Sequence, residues 1–95
     1  MNEGSHLLMV EDDEDLRACL TVVLEEEGYE VSTAANGKEA LDLLRGGGRR
    51  PDLILLNEMM PCMDGRQMRE ELAKDPVLAS IPVISLSTLF TKPSE

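Results

Sequence analysis

The sequence predicts an α/β fold, an open sandwich in which helices cover a parallel sheet. Three observations carry this. Leu7-Leu8-Met9-Val10 and Leu53-Ile54-Leu55-Leu56 are apolar runs without alternation, as expected of strands covered on both faces. The segments that follow carry apolar residues at helical spacing. Strands alternating with helices over short loops close into a parallel sheet through right-handed crossovers. With 95 residues, 42% of them apolar, the chain supports one domain over 1–95, and residues 1–6, ending in Gly4-Ser5-His6, are expected to be disordered or tag-like. A domain this small is expected to be stable by roughly 5 kcal/mol.

Leu7 to Val10 is the first strand. Asp13 to Glu26 follows as a helix with Leu16, Leu20, Val23 and Leu24 on one stripe, acids near its positive end, and Gly28 as its stop. Tyr29 to Thr33 is a more polar strand, placed nearer an edge. Asn36 caps a second helix, Gly37 to Arg45, in which Ala40, Leu43 and Leu44 face inward. Gly46-Gly47-Gly48 ends it. Asp52 to Leu56 is the third strand, and a turn over Pro61 to Gly65 leads into a helix to Lys74 with Met68 and Leu72 inside. Ile81 to Leu86 is the fourth strand, with Pro82 at its start, where a missing N–H is tolerated. After Ser87 come eight residues, Thr88 to Glu95, in which Leu89-Phe90-Thr91 has strand character. A parallel neighbour of the fourth strand needs a crossover of about a dozen residues, which Thr88 cannot supply. Leu89 to Thr91 is therefore expected to extend the fourth strand, to pair antiparallel or with another chain, or to hang loose.

Net charge is −10, from 19 acids against 9 bases, so nucleic acid and anionic membrane are not expected partners. Glu25 to Glu27 reads as a solvated face, but the five acids Glu11 to Asp15 abut a buried strand. Cys19 and Cys62 lack metal-ligand or redox spacing and read as reduced thiols. His6 has no histidine companion and is not read as a metal ligand. No basic region precedes a long apolar stretch, and the apolar runs are too short to span a bilayer, so a cytoplasmic location is expected.

Ligand crevices of open α/β sheets lie at the carboxyl ends of the strands. Glu11, Asp12, Asn57 and Ser87 stand there, with the Met59 carbonyl two residues past Asn57. Carboxylates and a carbonyl at one small site suit a hard cation such as magnesium. A serine at the next strand end suits an anionic oxygen, and Lys92 would neutralise charge if it reached the site. The alternative is that strand ends are polar because they meet solvent.

Six segments together carry a resemblance: Leu8 to Asp13 with Arg17; Gly28 to Val31; Asn36 to Leu41; Pro51 to Leu56; Met59-Met60-Pro61 with Met63-Asp64-Gly65; and Ile81 to Ser87, completed by Lys92-Pro93. From Leu7 to Glu95, with one gap, the chain resembles the receiver domain of bacterial two-component response regulators. The resemblance implies a doubly wound parallel sheet of the flavodoxin/CheY-like type, here truncated to four regular strands and three helices, with the last strand displaced or swapped. It implies an aspartate that takes a phosphoryl group from a histidine kinase with magnesium bound, in a signalling module rather than an enzyme. By position it makes Asp12 the direct magnesium ligand, Glu11 its outer helper and the Met59 carbonyl a further ligand. Ser87 matches the switch hydroxyl that contacts phosphate, and Lys92 the lysine that pairs with it.

Asn57 falls on the phosphoacceptor and departs from the family. An amide oxygen is a poor nucleophile, because its lone pair is shared with the C–N bond. Its neutrality also weakens a magnesium site while relieving repulsion among the acids. Glu58 is not expected to substitute, since adjacent strand residues point to opposite faces. The second departure is the gap before Leu89, where helix four and its loops are absent relative to the family. The exposed fourth strand invites pairing. The expected function is a receiver-like module of phosphorelay signalling, unable to accept phosphate at Asn57 and acting by contact with a histidine kinase, another signalling protein or its own copy through strand exchange. The alternatives are a magnesium-dependent phosphoacceptor whose aspartate was replaced, and a truncated or domain-swapped fragment without independent activity.

Overall fold

A computed structural model of the chain describes residues 4–57 and 65–86. The apolar run from Leu7, extended by His6 at its start, forms β1 (His6–Val10), and Glu14–Glu26 follows as α1. Asp13 caps α1, its carboxylate accepting from the Leu16 N–H at 2.9 Å. Gly28 then turns the chain with φ at 98°, in the left-handed region that a side chain would strain. β2 is Glu30–Ala34 and α2 is Gly37–Arg45, the latter capped by Asn36, whose Oδ1 accepts from the Glu39 N–H at 2.8 Å. Glu39 reaches back to the Ala35 N–H at 3.2 Å, so side chains satisfy two amides around the helix start. β3 is Leu53–Leu56, α3 is Gly65–Ala73, α4 is the single turn Pro76–Ala79, and β4 is Val83–Ser85.

The strands are all parallel in the order β2-β1-β3-β4. This is a doubly wound sheet of the flavodoxin/CheY-like kind, with four strands among the described residues. On one face Leu8, Val10, Ala34, Ile54 and Leu56 meet Ala40 and Leu41 of α2 and Met68 and Leu72 of α3. On the other, Leu7, Met9, Leu53 and Leu55 meet Leu20 and Leu24 of α1. β1 and β3 are buried along both faces, and each aliphatic side chain so enclosed contributes about 1.5–3 kcal/mol. These two strands are the rigid centre that carries the site.

Several expectations need correction. His6 is not part of a loose terminus: it opens β1, and its N–H donates to Asp52 Oδ2 at 2.8 Å. The Gly4 N–H donates to the Gly28 carbonyl and the Ser5 carbonyl accepts from Glu30. Leu16 and Val23 are 38% and 51% exposed, and the inner stripe of α1 is Arg17, Leu20, Thr21 and Leu24. In α2, Leu41 is buried and Leu43 is half exposed, since the inner stripe runs Gly37, Ala40, Leu41, Leu44. The helices number four among the described residues, α4 being additional. Asp75 caps it through the Val77 and Leu78 N–H groups, with Pro76 at its first position. The fourth strand is shorter than expected, although Pro82 still accepts a bond from the Ile54 N–H. Leu89 to Thr91 lie outside the described residues.

Candidate functional site

The parallel register fixes the site. Val10 is the partner of Leu56, so the next residues, Glu11 and Asn57, emerge side by side. The ladder continues one step further, the Asn57 N–H donating to the Val10 carbonyl at 2.9 Å, while the Glu11 N–H donates to Ala34 of β2 at 3.0 Å. Asn57 Nδ2 then donates to Glu11 Oε2 at 3.0 Å and to Asp12 Oδ1 at 3.2 Å. Three residues of the sequence reading therefore meet around one amide nitrogen. Amide orientation follows from this chemistry, because the reversed group would set Oδ1 against two carboxylates.

Glu11 is the buried acid of the site, 4% exposed. A carboxylate so placed needs donors around it. Besides Asn57, the Asp13 N–H donates to its Oε2 at 2.9 Å. The sequence reading did not find the third brace: the Arg17 guanidinium donates to the Glu11 carbonyl at 2.8 Å. Arg17 is itself held by the turn of α1, where the Thr21 hydroxyl donates to its carbonyl at 2.7 Å. Asp12 is exposed and faces solvent beside this cluster.

Met59, Ser87 and Lys92, like Glu58 and Cys62, lie outside the described residues. Among the described residues no group of three or more His, Cys, Asp or Glu side chains is placed to hold a metal ion. Glu11 and Asp12 are the two carboxylates available, and an NH2 group, which cannot ligate a cation, stands between them. Two carboxylates and water oxygens can serve magnesium, but with the amide nitrogen turned between them Asn57 offers it no oxygen. No described helix is long and apolar enough to cross a membrane.

A cleft of about 560 Å³ lies at the opposite end of the sheet, lined by His6, Tyr29, Ser32, Leu43 and Arg49 among others. His6 Nε2 sits 2.7 Å from the Ser32 hydroxyl, and Arg49 pairs with Glu30. The acids and the amide converge at the other end of the strands, and the chemistry follows them.

The model of the response regulator receiver domain matches residues 7–94. The probable transcriptional regulator ycf27 of Porphyra purpurea is 39% identical over 88 residues, which are 93% of this chain and 34% of that protein. The phosphate regulon transcriptional regulatory protein PhoB of Pseudomonas aeruginosa is 36% identical over 84 residues, 88% of this chain and 36% of that protein. The chain thus spans about a third of the length of these relatives. Among solved structures, the receiver domain of a signal transduction histidine kinase from Syntrophus aciditrophicus superimposes with a TM-score of 0.80 at 38% identity, over 97% of this chain and 65% of that one. Chemotaxis protein CheY4 of Vibrio cholerae gives 0.79 at 29% identity, over 86% of this chain and 67% of that one. With a family match from one end of the sheet to the other and the same doubly wound topology, this chain belongs to the response regulator receiver domains of two-component signalling, a family of signalling modules rather than enzymes.

Proposed function

We propose that this receiver domain signals by protein contact and does not accept phosphate at position 57. The observation that supports this reading is the Asn57 amide itself. By the resemblance it falls on the phosphoacceptor position, and its nitrogen donates hydrogen bonds to both Glu11 and Asp12. A group that attacks phosphorus must offer an electron pair. Here the atom turned toward the acids is a nitrogen whose pair is delocalised into the amide. Magnesium, held by Asp12, Glu11 and the Met59 carbonyl in the family pattern, binds more weakly with a neutral residue at 57. In the resemblance Ser87 and Lys92 match the phosphate-contacting pair, with fewer residues between them in the sequence than the family has.

The partners proposed are a histidine kinase, another signalling protein, or a second copy of this chain joined by strand exchange. The location proposed is the cytoplasm. The charge of −10 argues against direct binding of nucleic acid. The test is incubation with a small phosphodonor and magnesium, read by intact mass. No stable gain of a phosphoryl group is expected. A gain that disappears in Asn57→Ala would overturn the reading. Light scattering over a range of concentrations tests self-association separately, and a strict monomer throughout would remove strand exchange.

A further inference from the structure

We infer that the Asn57 amide, together with Arg17, is a built-in substitute for the divalent cation of this site, so that the acidic turn holds one shape with or without magnesium. The inference rests on the proposal above that Asn57 stands at the phosphoacceptor position, and it extends that proposal to how the pocket is held.

A cation between Glu11 and Asp12 would do three things: bridge two carboxylates that repel each other, bring positive charge, and fix the turn between β1 and α1. Each has a counterpart within the chain. The two N–H bonds of Asn57 Nδ2 go to Glu11 at 3.0 Å and Asp12 at 3.2 Å, one hydrogen for each acid. The Arg17 guanidinium supplies a permanent positive charge, anchored on the Glu11 carbonyl at 2.8 Å. The Asp13 N–H, bonded to the Glu11 carboxylate at 2.9 Å, closes the turn. Bonds of this kind, with an ionised acceptor, are roughly twice as strong as neutral ones. To admit magnesium, the amide must rotate by half a turn so that Oδ1 faces the cation, and both bonds must break first. An aspartate at 57 has no such choice. It adds a third like charge to the cluster and removes both amide bonds, leaving only the Arg17 and Asp13 braces, so that an external ion has more to contribute.

Thermal unfolding of the full chain in magnesium chloride and in EDTA, at matched ionic strength, separates the two cases. The midpoint of the unaltered chain is expected to move by less than about 2 °C on adding millimolar magnesium, and that of Asn57→Asp to rise by more than about 5 °C. Should Asn57→Asp fail to fold in EDTA, recovery of its far-ultraviolet circular dichroism with magnesium is the equivalent result. An unaltered chain that magnesium stabilises as much as it stabilises Asn57→Asp would overturn the inference. So would an Asn57→Asp chain indifferent to the ion or unrecovered by it. Intact mass after phosphodonor treatment is read on the same samples. A phosphoryl group on the unaltered chain defeats the proposed function, whereas magnesium-dependent stability without phosphorylation defeats only the substitution of amide for cation.

Discussion

Removing the Asn57 amide is expected to destabilise the fold, with a magnitude that follows from its two bonds. In Asn57→Ala, Glu11 Oε2 keeps the Asp13 N–H and loses a donor at 3.0 Å, in a residue only 4% exposed. Asp12 loses a donor at 3.2 Å on the exposed side. Hydrogen bonds to charged groups contribute about 1.5–3 kcal/mol each. The Asp12 bond belongs at or below the lower end, because water replaces it readily. Water reaches the Glu11 bond less easily, but the space left by the amide admits some. The net loss is then about 2–3 kcal/mol, a large part of the roughly 5 kcal/mol expected of a domain this size. At about 4–8 °C per kcal/mol, the midpoint falls by roughly 10–20 °C. Urea unfolding in EDTA near neutral pH, followed by circular dichroism, measures the difference directly. Lys38→Ala, on the exposed side of α2, serves as a control and is expected to change stability by less than about 0.5 kcal/mol. An Asn57→Ala chain no less stable than that control, with the same denaturant slope, would refute the claim that the amide braces the acids.

Arg17→Met retains the aliphatic contact within α1 and loses the donation to the Glu11 carbonyl. A loss of about 1–2 kcal/mol is expected in the same urea assay, with faster hydrogen exchange at the Asp13 amide, and unchanged exchange there would count against the brace. Met68→Ala opens a cavity under α3 at a side chain with no exposure, and an expected loss of about 2–5 kcal/mol leaves the chain little margin; full native signal in moderate urea would contradict that packing. The Lys74 ammonium, hydrogen-bonded at 2.7 Å, holds the Glu71 carboxyl below its ordinary 4.5, with Arg45 adding to the effect. Because the folded value is lowered, the pair favours folding above the unfolded value and ceases to as pH falls through the folded one, and solvent screening keeps that contribution small at this exposed position. NMR titration of Lys74→Gln is expected to return the Glu71 midpoint toward 4.5, and an unmoved midpoint would assign the shift elsewhere.

The sheet was legible because Leu7–Val10 of β1 and all of β3 are apolar without interruption, as strands covered on both faces need to be. The convergence of Glu11, Asp12 and Asn57 followed from the same two runs, since the residues just past neighbouring parallel strands meet. Helix faces were less legible. The inner stripe of α1 includes Arg17 and Thr21, whose polar groups bond within the turn, so counting apolar residues rotated the expected face toward Leu16 and Val23. The same miscount hid the role of Arg17 at the site, because an arginine on an inner helical face looks like an error in an apolar pattern. α4 escaped notice because one turn is too short for periodicity, although Asp75 before Pro76 is a helix-start signal in itself. In α2 the run Leu41 to Leu44 offers three leucines for two inner places, and only the geometry chooses Leu41 and Leu44 over Leu43.

The register between β1 and β3 has a consequence for how the gene can vary. Glu11 and Asn57 face each other only because Val10 is opposite Leu56, four matched pairs into the ladder that Leu7 and Leu53 begin. A residue gained or lost among Gly46 to Gly48 changes a surface turn and leaves that count intact. The same change inside Leu53–Leu56 moves Asn57 one step along the strand and turns its side chain to the opposite face of the sheet. Length variation should therefore accumulate among Gly46 to Gly48 and be almost forbidden within Leu53–Leu56. A library of single-residue insertions selected for folding would draw that boundary as a sharp edge in survival between the two segments.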